Sequence, residues 1–131
     1  MKVIVCGSRK LPETRDNVRI AVRLLREAKA TEVFSGCCHG GDAVGEMAAA
    51  VLGLPVRLFE ANWRKLGKAA GPIRNAQMAT EADICIAFPG GAGTASMLVE
   101  AKENGLRIVH ATPASEEYRW LDKHSGHGSE V

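Results

Sequence analysis

The feature that most constrains the fold is a repeated alternation of short apolar segments with segments of helical periodicity. Five apolar segments, KVIVCG, EVFSG, PVRLFE, DICIAF and LRIVHA, cover residues 2–7, 32–36, 55–60, 83–88 and 106–111. Each has the length of a strand and is nearly continuous in apolar residues, which is typical of strands buried on both faces of a parallel sheet. The intervening segments are expected to be helices, because parallel neighbours need a crossover connection.

Four helices are predicted in these crossovers. The first follows Thr14 and presents one apolar face, and the second ends at Gly53, a residue suited to a helix C-terminus. The third starts near Pro72, at the end of a long loop within residues 61–75. The fourth begins after Thr94 and ends near Asn104, with Gly105 just beyond it. We therefore expect one α/β domain, a Rossmann-like doubly wound parallel sheet of about five strands, order 3-2-1-4-5, with helices on both faces.

Length and charge limit the alternatives. The 131 residues fit a single domain, assigned to residues 1–112, and residues 113–131 are expected to form a short helix and a flexible tail. The formal charge of +2 does not indicate a nucleic-acid partner. No apolar run reaches the roughly 18 residues that span a bilayer, and the N-terminal run breaks at Gly7. This run is typical of a strand and not of a signal peptide, so we predict a cytoplasmic protein without membrane association.

The cysteines do not predict a metal site. Cys6 and Cys85 lie inside apolar strands, where a thiol behaves as a small hydrophobe. Cys37, Cys38 and His39 are adjacent in sequence, and no second pair stands at zinc-like spacing. These three are interpreted as residues of a tight turn between strand and helix, and neither a metal nor a cofactor is expected.

Two loops are expected to meet where the strand order reverses, the usual ligand site of an open α/β sheet. One is GSRK after the first strand, and the other is PGGAGT after the fourth. Glycines let a backbone approach a ligand, and the free amides at a helix N-terminus bind phosphate. Thr94 is predicted to cap the helix and to contact a phosphate oxygen. A turn that uses glycine for geometry alone is the alternative. The candidate ligand-binding residues in these loops are Gly7, Ser8, Arg9, Pro89, Gly90, Gly91, Gly93 and Thr94.

A second glycine-rich turn, SGCCHGGDAVGE, follows the second strand. Gly40 and Gly41 would allow a ligand to come close, and Gly36 is a candidate with them. Asp42 stands where a helix N-cap is expected, so it either caps the helix or accepts a hydrogen bond from a ribose hydroxyl. Neither turn matches a Walker A motif or the dinucleotide fingerprint, which gives no support to ATP hydrolysis or hydride transfer.

A basic segment, WRKLGKAAGPIRNAQM, precedes the fourth strand. Arg74 and Asn75 are predicted in the first turn of a helix, where the dipole disfavours a cation, and an anionic ligand would compensate. Lys68, Arg74 and Asn75 are therefore candidate ligand-binding residues. The alternative is a solvated basic face. Trp63 either stacks on a base or packs against the sheet.

GSRK, SGCCHGGDAVGEMAA, WRKLGKAAGPIRNAQM and FPGGAGTASM occur in this order, and together they resemble the YspA-like branch of the SLOG superfamily, named for Smf/DprA and the Lonely Guy (LOG) proteins. The resemblance covers about residues 1–109 and implies a Rossmann-like fold that binds nucleotides or their derivatives. LOG phosphoribohydrolases carry the signature PGGxGTxxE and an upstream arginine, which Arg74 resembles. Met97 occupies the glutamate position, so Glu100 and Asp42 are, with Arg74, the remaining candidates for a catalytic role.

The leading hypothesis is a binding protein for a nucleotide-derived signal, such as an ADP-ribose derivative or a cyclic nucleotide, acting as sensor or sponge in phage defence. The first alternative is a LOG-like N-glycosidase of nucleoside 5′-monophosphates with a relocated carboxylate. The second is DprA-like binding of single-stranded nucleic acid, against which the charge of +2 and the 5% aromatic content argue. The last alternative is a structural subunit whose fold binds no ligand. The resemblance also implies a homodimer or higher homo-oligomer.

Overall fold

The computed structural model describes residues 1–114, so the helix and tail predicted for residues 115–131 lie outside the described residues. The strands are β1 (Lys2–Cys6), β2 (Glu32–Ser35), β3 (Val56–Leu58), β4 (Ile84–Ala87) and β5 (Arg107–His110). The helices are α1 (Arg15–Glu27), α2 (Gly41–Leu52), α3 (Trp63–Leu66), α4 (Ala70–Glu81) and α5 (Ala92–Glu103), and a 3₁₀ turn, Gly67–Ala69, joins α3 to α4.

The strands form one parallel sheet in the order β3-β2-β1-β4-β5, which confirms the predicted topology. Side chains of β1 alternate between the two faces: Val3 and Val5 pack with residues of α1 and α2, and Ile4 and Cys6 pack with residues of α4 and α5. Each face therefore has its own core, and the sheet is doubly wound as predicted. Because both faces of the central strands are buried, polar side chains that could bind a ligand are expected at the carboxyl edge of the sheet.

Several helix ends follow the signals seen in the sequence. The Thr14 hydroxyl accepts a hydrogen bond from the Asn17 backbone N–H at 3.2 Å and caps α1. α2 ends at Gly53, which has φ +70°, and Gly105 follows α5 with φ +72°. These left-handed residues stop both helices, as predicted.

The third crossover differs from the prediction. Asn62 Oδ1 accepts a hydrogen bond from the Lys65 N–H at 3.1 Å, and this cap starts the short helix α3 inside the expected loop. α4 begins at Ala70 and not near Pro72, because the preceding residues, Ala69 and Ala70, are strong helix formers. Arg74 thus lies in the second turn of α4, and the dipole argument for an unfavourable first-turn cation was wrong.

Two predicted caps were also wrong. α5 begins at Ala92, so Thr94 is its third residue and Gly91 is the N-cap. α2 begins at Gly41 with Gly40 as its N-cap, so Asp42 is the second helical residue. In both cases glycines start the helix earlier than side-chain capping rules suggest. β3 is shorter than predicted, with three residues at the edge of the sheet. No helix among residues 1–114 is long and apolar enough to cross a bilayer.

Candidate functional site

A cavity of about 420 Å³ opens at the carboxyl ends of β1 and β4, where the strand order reverses. Its volume lies within the range typical of small-molecule sites. Most of the predicted ligand-binding residues line it: Gly7, Ser8, Arg9, Gly36, Asp42, Arg74, Asn75, Gly91, Gly93 and Thr94. The site was therefore predicted at the place where the structure has its cavity.

The N-terminus of α5 forms one wall of this cavity. Among residues 1–114, no group accepts a hydrogen bond from the backbone N–H groups of Gly91, Ala92 or Gly93. A Cβ built on Gly91 or Gly93 would meet no atom within 4 Å, and neither residue has a positive φ. Within the described chain these two glycines are needed neither for packing nor for a left-handed backbone. They leave open space beside unpaired amides and the positive end of a helix dipole.

Arg74, on α4, also lines the cavity. Its Nη1 donates hydrogen bonds to the backbone carbonyl oxygens of Gly36 at 2.5 Å and Phe59 at 3.4 Å, and its Nε donates to Asn75 Oδ1 at 2.9 Å. These three contacts hold the guanidinium in one orientation. Its Nη2 has no partner within residues 1–114, so the side chain keeps donors for a ligand.

Asn75 lines the cavity and also connects two of the elements around it. It is only 6% exposed, and its side-chain amide donates to Ser96 Oγ at 3.2 Å and to the Gly93 carbonyl oxygen at 3.4 Å. Because its Oδ1 accepts from Arg74, both ends of the amide are engaged. Asn75 thus connects the arginine of α4 with the first turns of α5 and holds these two elements in register.

The loop after β1 is hydrogen-bonded to the turn after β4 and to the turn after β2. The Ser8 N–H donates to the Pro89 carbonyl oxygen at 3.0 Å, and the Ser8 carbonyl oxygen accepts from the Gly41 N–H at 3.1 Å. Arg9 and Lys10 follow, both exposed and both lining the cavity. The cavity is therefore lined by three cationic side chains and the unpaired amides of α5.

Asp42 is the single carboxylate among the residues that line the cavity. Burial raises its pKa, and the hydrogen bond from the Cys38 N–H to its Oδ2, at 3.2 Å, and the charge of Arg74 act in the opposite direction. The charge of Glu46 contributes to the increase. A half-buried carboxylate with a raised pKa beside an open cavity can accept a hydrogen bond or exchange a proton.

Five predicted site residues do not line the cavity. Gly40 has φ +74°, its N–H donates to Glu13 Oε2 at 2.9 Å, and a Cβ there would overlap the Ser8 carbonyl oxygen. A Cβ on Gly41 would likewise overlap the Gly7 backbone nitrogen. These glycines allow loops of the protein to pack together. The five are Gly40, Gly41, Lys68, Pro89 and Gly90.

The apolar wall contains residues that were not predicted as part of the site. Met97 is 2% exposed and lines the cavity where the LOG signature has glutamate, whereas Glu100 is not among the lining residues. Trp63 is 48% exposed and lies against Gly71, where a Cβ would come within 3.0 Å of its ring. The remaining unpredicted lining residues are Ile4, Cys6, Lys10, Cys38, Gly71, Pro72, Met78, Ala92 and Ser96. Most carry no chemical signal in the sequence, and only the fold shows that they surround a ligand-sized space.

Residues 1–114 contain no cluster of three or more His, Cys, Asp or Glu side chains that could hold a metal ion. Cys6 Sγ lies 3.8 Å from Cys85 Sγ. Its hydrogen bond with that thiol, and its burial, raise the pKa of Cys6 well above the usual value. This thiol is therefore protonated, and it is one of the apolar groups that line the cavity.

No family model matches the chain. It is similar to the Gene 61 protein of Mycobacterium phage D29, with 30% identity over 119 residues that cover 83% of this chain and 94% of the phage protein. The similarity therefore extends over nearly the whole of that relative.

Proposed function

The chain belongs to the family of the Gene 61 protein of Mycobacterium phage D29, and we propose that it binds a nucleotide or a nucleotide-derived molecule in the cavity at the carboxyl edge of the sheet. The observation that carries the proposal is the N-terminus of α5. It combines unpaired backbone amides with two glycines, Gly91 and Gly93, that leave space for a ligand and serve no packing role in the described chain. A phosphate group supplies the acceptors that these amides lack.

The charges around the cavity favour an anionic ligand. Arg9, Lys10 and Arg74 line it, and Asp42 is the single lining carboxylate. Arg74 is held by two carbonyl oxygens and by Asn75, so little entropy is lost when its remaining donors bind an anion. An arginine fixed in this way and the N-terminus of α5, which line the same cavity, would together form a clamp for phosphate oxygens.

The rest of the cavity suits a nucleoside. Its apolar wall includes Trp63, Met78 and Met97, which can pack against a base and a sugar. Trp63 keeps about half of its surface exposed, so its ring is available for stacking on a base. A phosphate site next to an apolar wall is the arrangement that a phosphorylated nucleoside requires.

Capture without cleavage is the activity that we propose. The resemblance to the SLOG superfamily suggests a sensor or sponge for a nucleotide signal, including ADP-ribose-like or cyclic forms, and a relative encoded by a phage is compatible with a role in phage defence. Met97 has no group that could activate water or stabilise an oxocarbenium-like transition state.

A LOG-like phosphoribohydrolase is the second candidate, and one observation favours it. Asp42 lines the cavity, and its pKa is raised by burial, as is common for carboxylates that move protons in active sites. Glu100 is a weaker candidate for the same role because it does not line the cavity. If the protein cleaves its ligand, Asp42 is therefore the carboxylate that we expect to act.

The test uses the purified full chain with nucleoside monophosphates, ADP-ribose and cyclic nucleotides. Each mixture is filtered, and the filtrate and the heat-released fraction are chromatographed. A ligand that is retained and recovered intact supports capture, and free base that accumulates with time supports cleavage. If no phosphorylated nucleoside is retained or cleaved, the proposal fails.

A matched pair of arginine variants locates the binding site. We expect Arg74→Ala to lower the affinity by about tenfold or more, since hydrogen bonds to charged groups contribute about 1.5–3 kcal/mol. Arg64→Ala removes an exposed arginine of α3 that does not line the cavity, and it should leave the affinity unchanged. Equal losses in both variants would indicate a nonspecific effect of charge.

A further inference from the structure

The side chain of Asp42 is only partly satisfied by the protein. Its Oδ2 accepts a hydrogen bond from the Cys38 N–H at 3.2 Å, and the Cys38 thiol is the one side chain of residues 1–114 that contributes a further hydrogen bond to the carboxyl. The carboxylate is half-buried and lines the cavity. Desolvating a carboxylate is costly unless donors replace the lost water, so a ligand that fills this cavity must bring a donor to Asp42.

Arg74 lowers the pKa of this carboxyl through its charge but does not form an ion pair with it. A Cβ built on Gly36 would lie 2.8 Å from Arg74 Nη1 and 2.8 Å from Asp42 Oδ2, so both side chains reach the same glycine. They nevertheless form no ion pair within 4.0 Å, because Arg74 Nη1 is committed to the carbonyl oxygens of Gly36 and Phe59. The cavity therefore presents a cation and a carboxylate that are both available to one ligand.

The chemistry of a nucleotide identifies the donor. If the phosphate lies on the N-terminus of α5, as the proposed function requires, the sugar hydroxyls are the donors closest to the phosphate along the ligand. They carry no charge, so Asp42 can accept from them while the phosphate stays on the positive side of the cavity. An exocyclic amine of the base lies farther from the phosphate than the sugar hydroxyls do. The hydrogen bond to Asp42 therefore does not require this amine.

We propose that Asp42 accepts a hydrogen bond from a sugar hydroxyl of the ligand and makes the site selective for ribonucleotides over their deoxy counterparts. This inference rests on the proposed function, and it adds the class of sugar that the site selects. A site built around a hydroxyl leaves its acceptor unpaired when the hydroxyl is missing, which is a strong basis for discrimination.

The experiment compares AMP, GMP, CMP and UMP with their 2′-deoxy and 3′-deoxy counterparts by calorimetric titration of the full chain. We expect at least one deoxy series to bind about 10- to 100-fold more weakly, as for loss of a hydrogen bond to a charged group. Asp42→Ala should remove this difference by weakening the ribonucleotides alone. Asp42→Asn, which keeps an acceptor oxygen, should retain part of it.

Each result has a distinct meaning. Equal binding of ribonucleotides and deoxynucleotides overturns the inference and leaves the proposed function standing. Discrimination that persists in Asp42→Ala also overturns it, since another group must then sense the hydroxyl. Failure of every phosphorylated nucleoside to bind the unaltered protein overturns the proposed function itself. Asp16→Ala, an exposed carboxylate on α1, is the control and should leave the discrimination unchanged.

Discussion

Two glycine-rich turns enter helices at the same edge of the sheet, and the protein uses them in opposite ways. In the turn after β2, the N–H groups of Cys37, Cys38, Gly40 and Gly41 donate to Ser35 Oγ, Asp42 Oδ2, Glu13 Oε2 and the Ser8 carbonyl oxygen, respectively. In the turn after β4, the N–H groups of Gly91, Ala92 and Gly93 have no acceptor within residues 1–114. Four amides of the first turn thus have acceptors in the protein, whereas the three amides at the start of α5 have none within residues 1–114.

This difference shows that glycine content does not by itself identify a binding loop. A Cβ on Gly40 would overlap Ser8, whereas a Cβ on Gly91 or Gly93 would meet nothing within 4 Å. The first glycine is required by the fold, and the other two make room beside unpaired donors. The distinction can be tested separately by measurements of stability and of binding.

The largest effect is expected from alanine substitutions in the two turns. Gly40→Ala should lower the free energy of unfolding by roughly 2–4 kcal/mol, because it combines an unfavourable positive φ with a steric overlap. Gly91→Ala should change it by about 0.5 kcal/mol or less, since its Cβ points into open space. Urea denaturation of both variants measures the difference. Similar losses would show that both turns are structural.

A carboxylate placed in the second turn should separate stability from binding. Gly93→Asp adds a negative charge at the N-terminus of α5, which should stabilise the helix by about 0.3–1 kcal/mol. The same charge would repel a phosphate, and we expect the affinity for the retained nucleotide to fall about 30-fold or more. Gly93→Asn is the uncharged control of similar shape and should lose less affinity. If the aspartate variant binds as tightly as the asparagine variant, the phosphate does not lie at this turn.

A smaller effect is expected at the connection between the second turn and Arg74. Asn75→Ala should weaken nucleotide binding by about tenfold, because Arg74 loses the acceptor for its Nε and is less well oriented. In a protein that already carries Arg74→Ala, the same change should have little further effect on affinity. A double-mutant cycle measured by titration tests this dependence. Additive losses would mean that Asn75 acts on the ligand by another route.

The smallest effect concerns Asp42, the residue of α2 that lines the cavity. Because the pKa of its carboxyl is raised in the folded state, ionisation opposes folding above the unfolded pKa of about 3.9. Asp42→Asn should therefore stabilise the free protein by roughly 1 kcal/mol or less at pH 7. The gain should shrink as the pH falls through the folded pKa and vanish below the unfolded value, where the carboxyl is protonated in both states.

Thermal unfolding from pH 3 to pH 8 measures that gain. The charged or titratable groups that influence the pKa of Asp42 are Arg74 on α4, Glu46 on α2 and the neighbouring Cys38 thiol. Asp16→Asn on the exposed face of α1 is run in parallel as a control. A destabilised Asp42→Asn protein at pH 7 would show that the carboxylate is better satisfied than its contacts indicate.

Much of the fold could be predicted because its signals are local. Nearly continuous apolar segments identified the strands, and Thr14, Gly53 and Gly105 marked helix ends correctly. The starts of α2, α4 and α5 were less predictable. Glycine and alanine extended each of these helices beyond the residue that capping or proline rules favoured, and neither residue carries a side-chain signal for a helix start.

The site was predicted more accurately in position than in role. Arg74, Asp42, Gly91 and Gly93 line the cavity as expected, whereas Gly40, Gly41, Lys68, Pro89 and Gly90 do not. Asn75 also lines it, and its buried amide holds Arg74, a contact that the sequence did not predict. Residues adjacent in sequence look equivalent until their partners on other elements are known.

The sequence by itself determined a parallel doubly wound sheet and therefore brought two glycine-rich turns to one edge. These properties depend on hydrophobic periodicity and on the geometry of crossovers, which are set within short segments. The tertiary structure decided which turn is open, because an amide is satisfied or left unpaired by groups far away in the chain. Glu13 and Ser8 accept from the amides of Gly40 and Gly41 in the turn after β2, and the described chain offers no such acceptor to Gly91, Ala92 or Gly93 at the start of α5.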